Sequence, residues 1–130
     1  MNDPVALIQA LYADFGRGDL PAILARLTDD VSWTFHGSIG LPYMRTARGP
    51  AEVARWFGQV AEADGIQAFE PREFFAGPDH VTVLGWERTQ ALPAGRVFET
   101  EWVHLWSLRG GKVARFVGMF DTAAVAAARA

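Results

Sequence analysis

The sequence predicts an α+β domain of order ααβαββββ, in which helices close one face of a strongly curved antiparallel sheet and the whole makes a cone. Three observations carry this. Apolar residues recur at helical spacing as far as Val60, strand-like runs take over from Ile66, and the final third reads as a long β-hairpin. That hairpin pairs residues 97–108 with 112–121 through Arg109-Gly110-Gly111.

Asp3 is a good N-cap and Pro4 a good first helical residue, after which Val5, Ile8, Leu11, Tyr12 and Phe15 share one face of a helix ending at Gly16. Gly16-Arg17-Gly18 turns the chain. Asp19 then caps a second helix on Leu20, Ile23, Leu24 and Leu27, which Thr28-Asp29-Asp30 breaks. Val31, Trp33 and Phe35 alternate with Ser32 and Thr34 as a strand. Residues 36–49 hold Gly37, Gly40, Pro42, Tyr43, Arg45 and Arg48, and read as a long loop able to cover a pocket mouth. Pro50 opens a third helix with Val53, Trp56, Phe57 and Val60 on one face, stopped by Gly65. Strands follow at 66–76, interrupted by Pro71, and at 81–92, with turns at Gly77-Pro78-Asp79-His80 and Pro93-Ala94-Gly95. The alanine-rich tail, 123–130, is read as a frayed helix or as disordered.

Residues 1–130 make one domain, long enough to bury roughly two-thirds of the surface its unfolded chain exposes. The 12 lysines and arginines are scattered among 15 acids, for a net charge of −3, which excludes a nucleic-acid footprint. Met1-Asn2-Asp3-Pro4 lacks the pattern of a signal peptide and no apolar run approaches membrane-spanning length. The expectation is a soluble cytoplasmic protein with no membrane partner. The absence of cysteine removes disulfides and thiolate chemistry, and no cofactor is predicted. His36, His80 and His104 form no helix- or strand-spaced pair, so no metal site is expected.

Glu101, His104 and Asp121 stand among Trp102, Trp106, Phe116, Met119 and Phe120, which is how an apolar pocket with a few polar groups reads. Trp33, Phe35, Trp56, Phe57, Trp86 and Phe116 together exceed what a small core needs, so some should line a cavity. Tyr12, Phe15, Gly118 and Phe120 complete the expected ligand-lining set with His36 and Tyr43 from the long loop. Arginines 45 and 48 suit a ligand carboxylate or enolate, with solvated surface as the alternative.

The candidate catalytic residues each have two readings. His104 has acid–base chemistry suited to neutral pH, or it packs between Trp102 and Trp106 in a dimer contact on the outer face. Asp121 is an acid–base group desolvated by Phe120 and Met119, or the cap of a following helix. Glu101 is an inward carboxylate, or a cross-sheet partner of Arg88 or Arg115.

Leu11-Tyr12-Ala13-Asp14-Phe15-Gly16-Arg17-Gly18-Asp19-Leu20, Leu27-Thr28-Asp29-Asp30-Val31-Ser32-Trp33, Gly49-Pro50-Ala51-Glu52-Val53, Gly111-Lys112-Val113 and Phe120-Asp121 occur in an order and spacing that resemble one family. This is the ketosteroid-isomerase-like group of the nuclear transport factor 2-like superfamily, and within it the SnoaL-like relatives of polyketide cyclases. The resemblance implies a cone-shaped barrel with a deep apolar pocket, commonly a homodimer through the outer sheet face. Its members include isomerases, cyclases, epoxide hydrolases, dehydratases and non-catalytic modules, so the fold does not choose among them.

Aligned without gaps, the general-base Asp, helix-one Tyr and far-strand Asp that the resemblance implies for ketosteroid isomerases fall at Phe35, Leu11 and Val103. Those side chains neither take a proton nor donate a hydrogen bond. Tyr12 lies about 100° round the helix from the vacant position. The SnoaL-like cyclase pattern implies a His matched by His104 and an acid where Gly118 stands, with Asp121 the nearest candidate. An epoxide-hydrolase relay is matched poorly, because Glu87 and Arg88 point to opposite faces of their strand. Gap-free parity turns Glu101, Val103 and Leu105 inward, and a β-bulge reverses it. The expected function is binding of a small, mostly apolar molecule in the cone, with cofactor-independent acid–base catalysis of the isomerase, cyclase or hydratase kind. The alternative is a non-catalytic ligand-binding or dimerisation module.

Overall fold

The structure, a computed structural model, describes residues 3–93 and 95–130, so Met1, Asn2 and the Ala94 of the expected turn lie outside the described residues. The elements are α1 (Pro4–Gly16), α2 (Leu20–Ala25), β1 (Leu27–Phe35), β2 (Thr46–Arg48), α3 (Gly49–Ala63), β3 (Asp64–Ala76), β4 (His80–Ala91), β5 (Val97–Arg109), β6 (Lys112–Phe120) and α4 (Thr122–Arg129). The strands form one curved sheet in the order β2-β1-β6-β5-β4-β3, antiparallel throughout except for the parallel pair β1–β6. No helix among the described residues is long and apolar enough to cross a membrane.

Local chemistry sets the boundaries. Asp3 accepts from the Val5 N–H at 3.0 Å and Asp19 from the Ala22 N–H at 3.1 Å, each with proline in the first helical turn. The second helix ends at Ala25, two residues before the predicted Leu27, because the Arg26 carbonyl is taken by the Val113 N–H of β6. Leu27 therefore opens β1. Asp14 is 2% exposed and receives Arg26 and Arg17, whose hydrogen bonds hold its carboxyl below the usual range and tie α1 to the end of α2.

One element was not read in the sequence, and another was left open there between helix and disorder. β2 lies inside the expected loop and pairs with β1, where the Thr34 and Thr46 hydroxyls meet at 2.8 Å. The alanine-rich tail is a helix, α4, whose Val125 and Ala128 pack with Phe98 and Ala91.

The sheet and α3 enclose a core in which Ile8, Val31, Val53, Val83 and Val113 are wholly buried. Two glycines make room for rings on the inner face. A Cβ on Gly118 would stand 1.9 Å from Phe35 Cε1, and one on Gly85 would stand 2.2 Å from Trp102 Cζ2. The Gly118→Ala variant should therefore lose about 1–3 kcal/mol of stability in urea denaturation, because the Phe35 ring must leave its place. Part of that loss should return in the Gly118→Ala/Phe35→Leu double variant. An unchanged midpoint for the single variant would show that the ring does not press on this backbone.

Candidate active site

β5 sets the site. Phe98, Thr100, Trp102, His104 and Trp106 alternate inward and are buried, whereas Glu99 and Glu101 are exposed. The gap-free parity is thus corrected by one residue: Val103 and Leu105 face outward with Glu101, and His104 faces inward. The physical reason is area. Burying a Trp removes about 150–250 Å² from water, worth roughly 4–6 kcal/mol at ~25 cal/mol per Å², and the opposite phase would expose two of them while burying a carboxylate.

An inner cavity of about 70 Å³ lies between this face, α1 and α3. Of the residues expected to bind a ligand, Tyr12, Phe15, Trp33, Phe35, Tyr43, Trp56, Phe57, Phe116 and Phe120 line it, as does His104. The hollow is narrow because the rings interlock: Trp33 and Phe116 centroids are 4.3 Å apart, and Trp102 stacks on His104 at 3.9 Å. With roughly 10–15 Å³ the least space that admits one water on this scale, it has room for a few waters at most.

Five expected site residues lie elsewhere. Glu101 is exposed on the outer face, opposite Trp86 in the β4–β5 register. Trp86 shares that face, under the Arg72 guanidinium at 5.1 Å. Asp121 is exposed and caps α4, accepting from the Ala123 and Ala124 N–H groups at 3.1 and 3.2 Å. His36 is exposed beyond the end of β1, its backbone N–H donating to the Gly118 carbonyl. Gly118 is roofed by Phe35 and so meets a ring instead of the hollow.

Tyr12 reaches the cavity although it stands round the helix from Leu11, and both residues line it. A helix lying in a concave sheet buries a stripe wide enough for two adjacent positions. The Trp106 indole N–H donates to the Tyr12 hydroxyl at 3.1 Å, and that hydroxyl lies 2.7 Å from His104 Nδ1. Burial pushes the His104 pKa down to about 3 and pushes the Tyr12 phenol up, so both are neutral. Since an indole only donates, the hydrogen-bond network assigns the phenol proton to Nδ1 and the imidazole's own proton to Nε2. His104 then offers an N–H donor at the cavity wall.

A second polar group joins Glu87, weighed in the sequence only for a relay and set aside, with Asp64, which the sequence reading missed. Glu87 and Asp64 both line the cavity, and the Tyr43 hydroxyl donates to Asp64 Oδ2 at 2.8 Å while Arg129 of α4 pairs with Oδ1. Thr89 donates to Glu87 Oε2 at 2.7 Å. Burial raises the Glu87 pKa to about 7, against the Thr89 hydrogen bond and with help from Asp64. Burial likewise raises Asp64, against Tyr43 and Arg129. Both carried a signal: Glu87 shares the parity of the buried Val81 and Val83, and Asp64 stands at the C-terminal end of α3, where the helix dipole disfavours an acid. No cluster of three or more His, Cys, Asp or Glu side chains among the described residues could hold a metal ion.

The two buried titratable groups bend stability in opposite directions. His104 stays neutral in the native state, so its contribution is complete above its ordinary 6.5 and is lost as pH falls toward about 3. Glu87 keeps its proton in the native state, so its contribution is complete below its ordinary 4.5 and is lost as pH rises through about 7. In urea denaturation, Glu87→Gln should therefore gain more stability than the parent chain as pH rises from about 4.5 to 7. Parallel pH curves for the two proteins would show that Glu87 ionises as it does in the unfolded chain.

Comparison with known proteins places this architecture. No curated protein matches the chain. Among solved structures, an NTF2-like protein from Burkholderia xenovorans LB400 is 32% identical over 95% of this chain and 93% of its own, with a TM-score of 0.85. An NTF2-like protein of unknown function from Burkholderia pseudomallei K96243 is 30% identical over 98% of each chain, with a TM-score of 0.88. TerC, co-crystallised with polyporic acid, is 29% identical over 95% of each chain, with a TM-score of 0.86. The profile of the SnoaL-like domain matches residues 8–116, and the chain belongs to the SnoaL-like domain family.

Proposed function

We propose that this protein binds a small, flat, mostly apolar molecule in the inner cavity and anchors one of its oxygens on His104. The observation that carries this reading is the chain of Trp106, Tyr12 and His104, hydrogen-bonded to one another in an otherwise aromatic wall. A network of this kind holds an imidazole in one tautomer and one orientation. Near-parallel rings at the wall, Trp102 on His104 at 19° and Phe69 on Trp102 at 17°, suit a flat ligand. The TerC complex with polyporic acid supports a small organic ligand for this family.

Ligand sites commonly measure about 300–1,000 Å³, so binding requires the rings to part. The natural entrance is the groove between α1 and β3, because Tyr12, Phe15, Ile66 and Phe69 line both that groove and the cavity. Phe15 and Phe69 meet edge to face across it at 5.2 Å.

In its catalytic form the reading is cofactor-independent proton transfer next to a carbonyl, with the neutral His104 N–H holding the oxygen on which charge develops. A second reading, a non-catalytic binding or dimerisation module, is favoured by the tight ring packing and by Gly118 standing where a cyclase would carry its acid. The dimer would use the outer sheet face, where Leu84, Val103 and Leu105 lie beside the exposed Met119 and Phe75.

Adding 6-methoxy-1-tetralone or polyporic acid should raise the melting temperature in proportion to the logarithm of concentration, by about 2.7 kcal/mol of stabilisation at a hundred times Kd. His104→Phe should remove most of that shift. No shift with either compound would retire the cavity as a ligand site. For the interface, light scattering should report a dimer that Val103→Lys converts to monomer; a monomeric parent chain at about 100 µM would dismiss the second copy.

A further inference from the structure

We propose that Glu87 takes the acidic proton of the ligand, and that the ligand is a conjugated ring molecule with a carbonyl toward His104 and an acidic hydroxyl toward Glu87. This rests on the ligand-binding reading above and names the class of molecule bound.

The two polar stretches of the cavity are spaced along one wall. His104 pairs with Val83 and Glu87 pairs with Thr100, so the backbone positions that carry the imidazole and the carboxyl stand four residues apart on adjacent strands, about 13 Å along the sheet. A proton on carbon directly beside a carbonyl does not span that separation. A ring system does, if its double bonds connect a hydroxyl at one end with a carbonyl at the other.

The available hydrogen-bonding groups fit such a molecule. With Oε2 held by Thr89, Glu87 Oε1 has no partner among the described residues, although Glu87 is 9% exposed and lines the cavity. The indole N–H groups of Trp33 and Trp102, side chains 2% and 3% exposed, are buried without a partner. The His104 Nε2–H, and the two indole N–H groups once the rings part, are donors, and donors suit oxygens that carry negative charge. Toward Glu87 the nearby groups are Asp64 of β3, the Tyr43 hydroxyl and Arg129 of α4, and the last two are already engaged with Asp64.

The step balances within the site. Above about pH 7, where Glu87 is a carboxylate, the ligand O–H bond breaks, an O–H bond forms on that carboxylate, and the electron pair spreads through the conjugated rings onto the far carbonyl oxygen, which His104 holds. No other reactant takes part. The gain is electrostatic: a compact carboxylate charge is costly in an apolar cavity, whereas the same charge spread over a ring system costs less.

The test uses 6-hydroxy-1-tetralone, whose hydroxyl is conjugated with its carbonyl and whose absorbance moves to longer wavelength on ionisation, beside its methyl ether, 6-methoxy-1-tetralone. At about pH 7.5, above the Glu87 pKa of about 7, the bound hydroxy compound should show the ionised spectrum and bind at least about tenfold more tightly than the ether. Glu87→Gln should return the bound hydroxy compound to its neutral spectrum and abolish its preference over the ether. If Glu87→Gln does not fold, carbon-13 labelling of the glutamates in the native protein provides the second readout: the Glu87 carboxyl should move to its protonated position with the hydroxy compound and not with the ether. Ether binding with no preference for the hydroxyl, or a preference that survives Glu87→Gln, overturns this inference and leaves the ligand-binding reading intact. Failure of both compounds to bind removes the reading itself.

Discussion

The burial of Trp102 and Trp106 on the concave side of β5 is the constraint on which the rest of the structure depends. A strand has only two faces, so placing these rings inside carries His104 in between them and sends Glu101, Val103 and Leu105 out. The neighbouring elements answer that choice. Gly85 lies bare beneath Trp102, Gly118 beneath Phe35, and α1 comes close enough for the Tyr12 hydroxyl to meet both the Trp106 indole and the His104 imidazole. Thr100, next inward along the same strand, accepts the Asp121 N–H and so helps start α4.

The apolar interior also sets the chemistry of the site. Desolvation keeps His104 neutral, which makes it a hydrogen-bond donor instead of a cation. The same desolvation leaves Glu87 titrating near neutrality, while Asp64 is held by Tyr43 and Arg129. A neutral donor and a carboxyl that changes state at ordinary pH thus lie apart in one largely aromatic interior, which gives that interior a polar direction. That direction, more than the size of the hollow, distinguishes this interior from a plain hydrophobic core.

Membership of the SnoaL-like family accounts for the architecture and leaves the chemistry to the individual site. Gly118 and the inward Glu87 show how a shared sheet carries a different set of groups. At Gly118 an absent side chain gives its space to a ring, and at Glu87 a strand position in phase with Val81 and Val83 supplies a carboxyl from another strand.

Local sequence by itself determined where most elements lie, because capping and periodicity act over a few residues. Asp3-Pro4, Asp19, the Val53-Trp56-Val60 face and the Gly110-Gly111 turn are all readable without knowing what they touch. Short β2 was not, since a three-residue strand exists only through its pairing with β1, and the alanine-rich tail read equally as a frayed helix or as disordered, since so short an alanine helix holds only through the surface that Val125 and Ala128 cover. The phase of β5 was open for a similar reason: both faces of residues 97–108 carry apolar groups, and only the tertiary fold decides which of them leaves water. The same decision brought Tyr12 to His104 across 92 residues of chain and turned Glu87 and Asp64 into buried carboxyls. Local pattern gives each residue a face, but a cavity exists only where faces from distant segments meet.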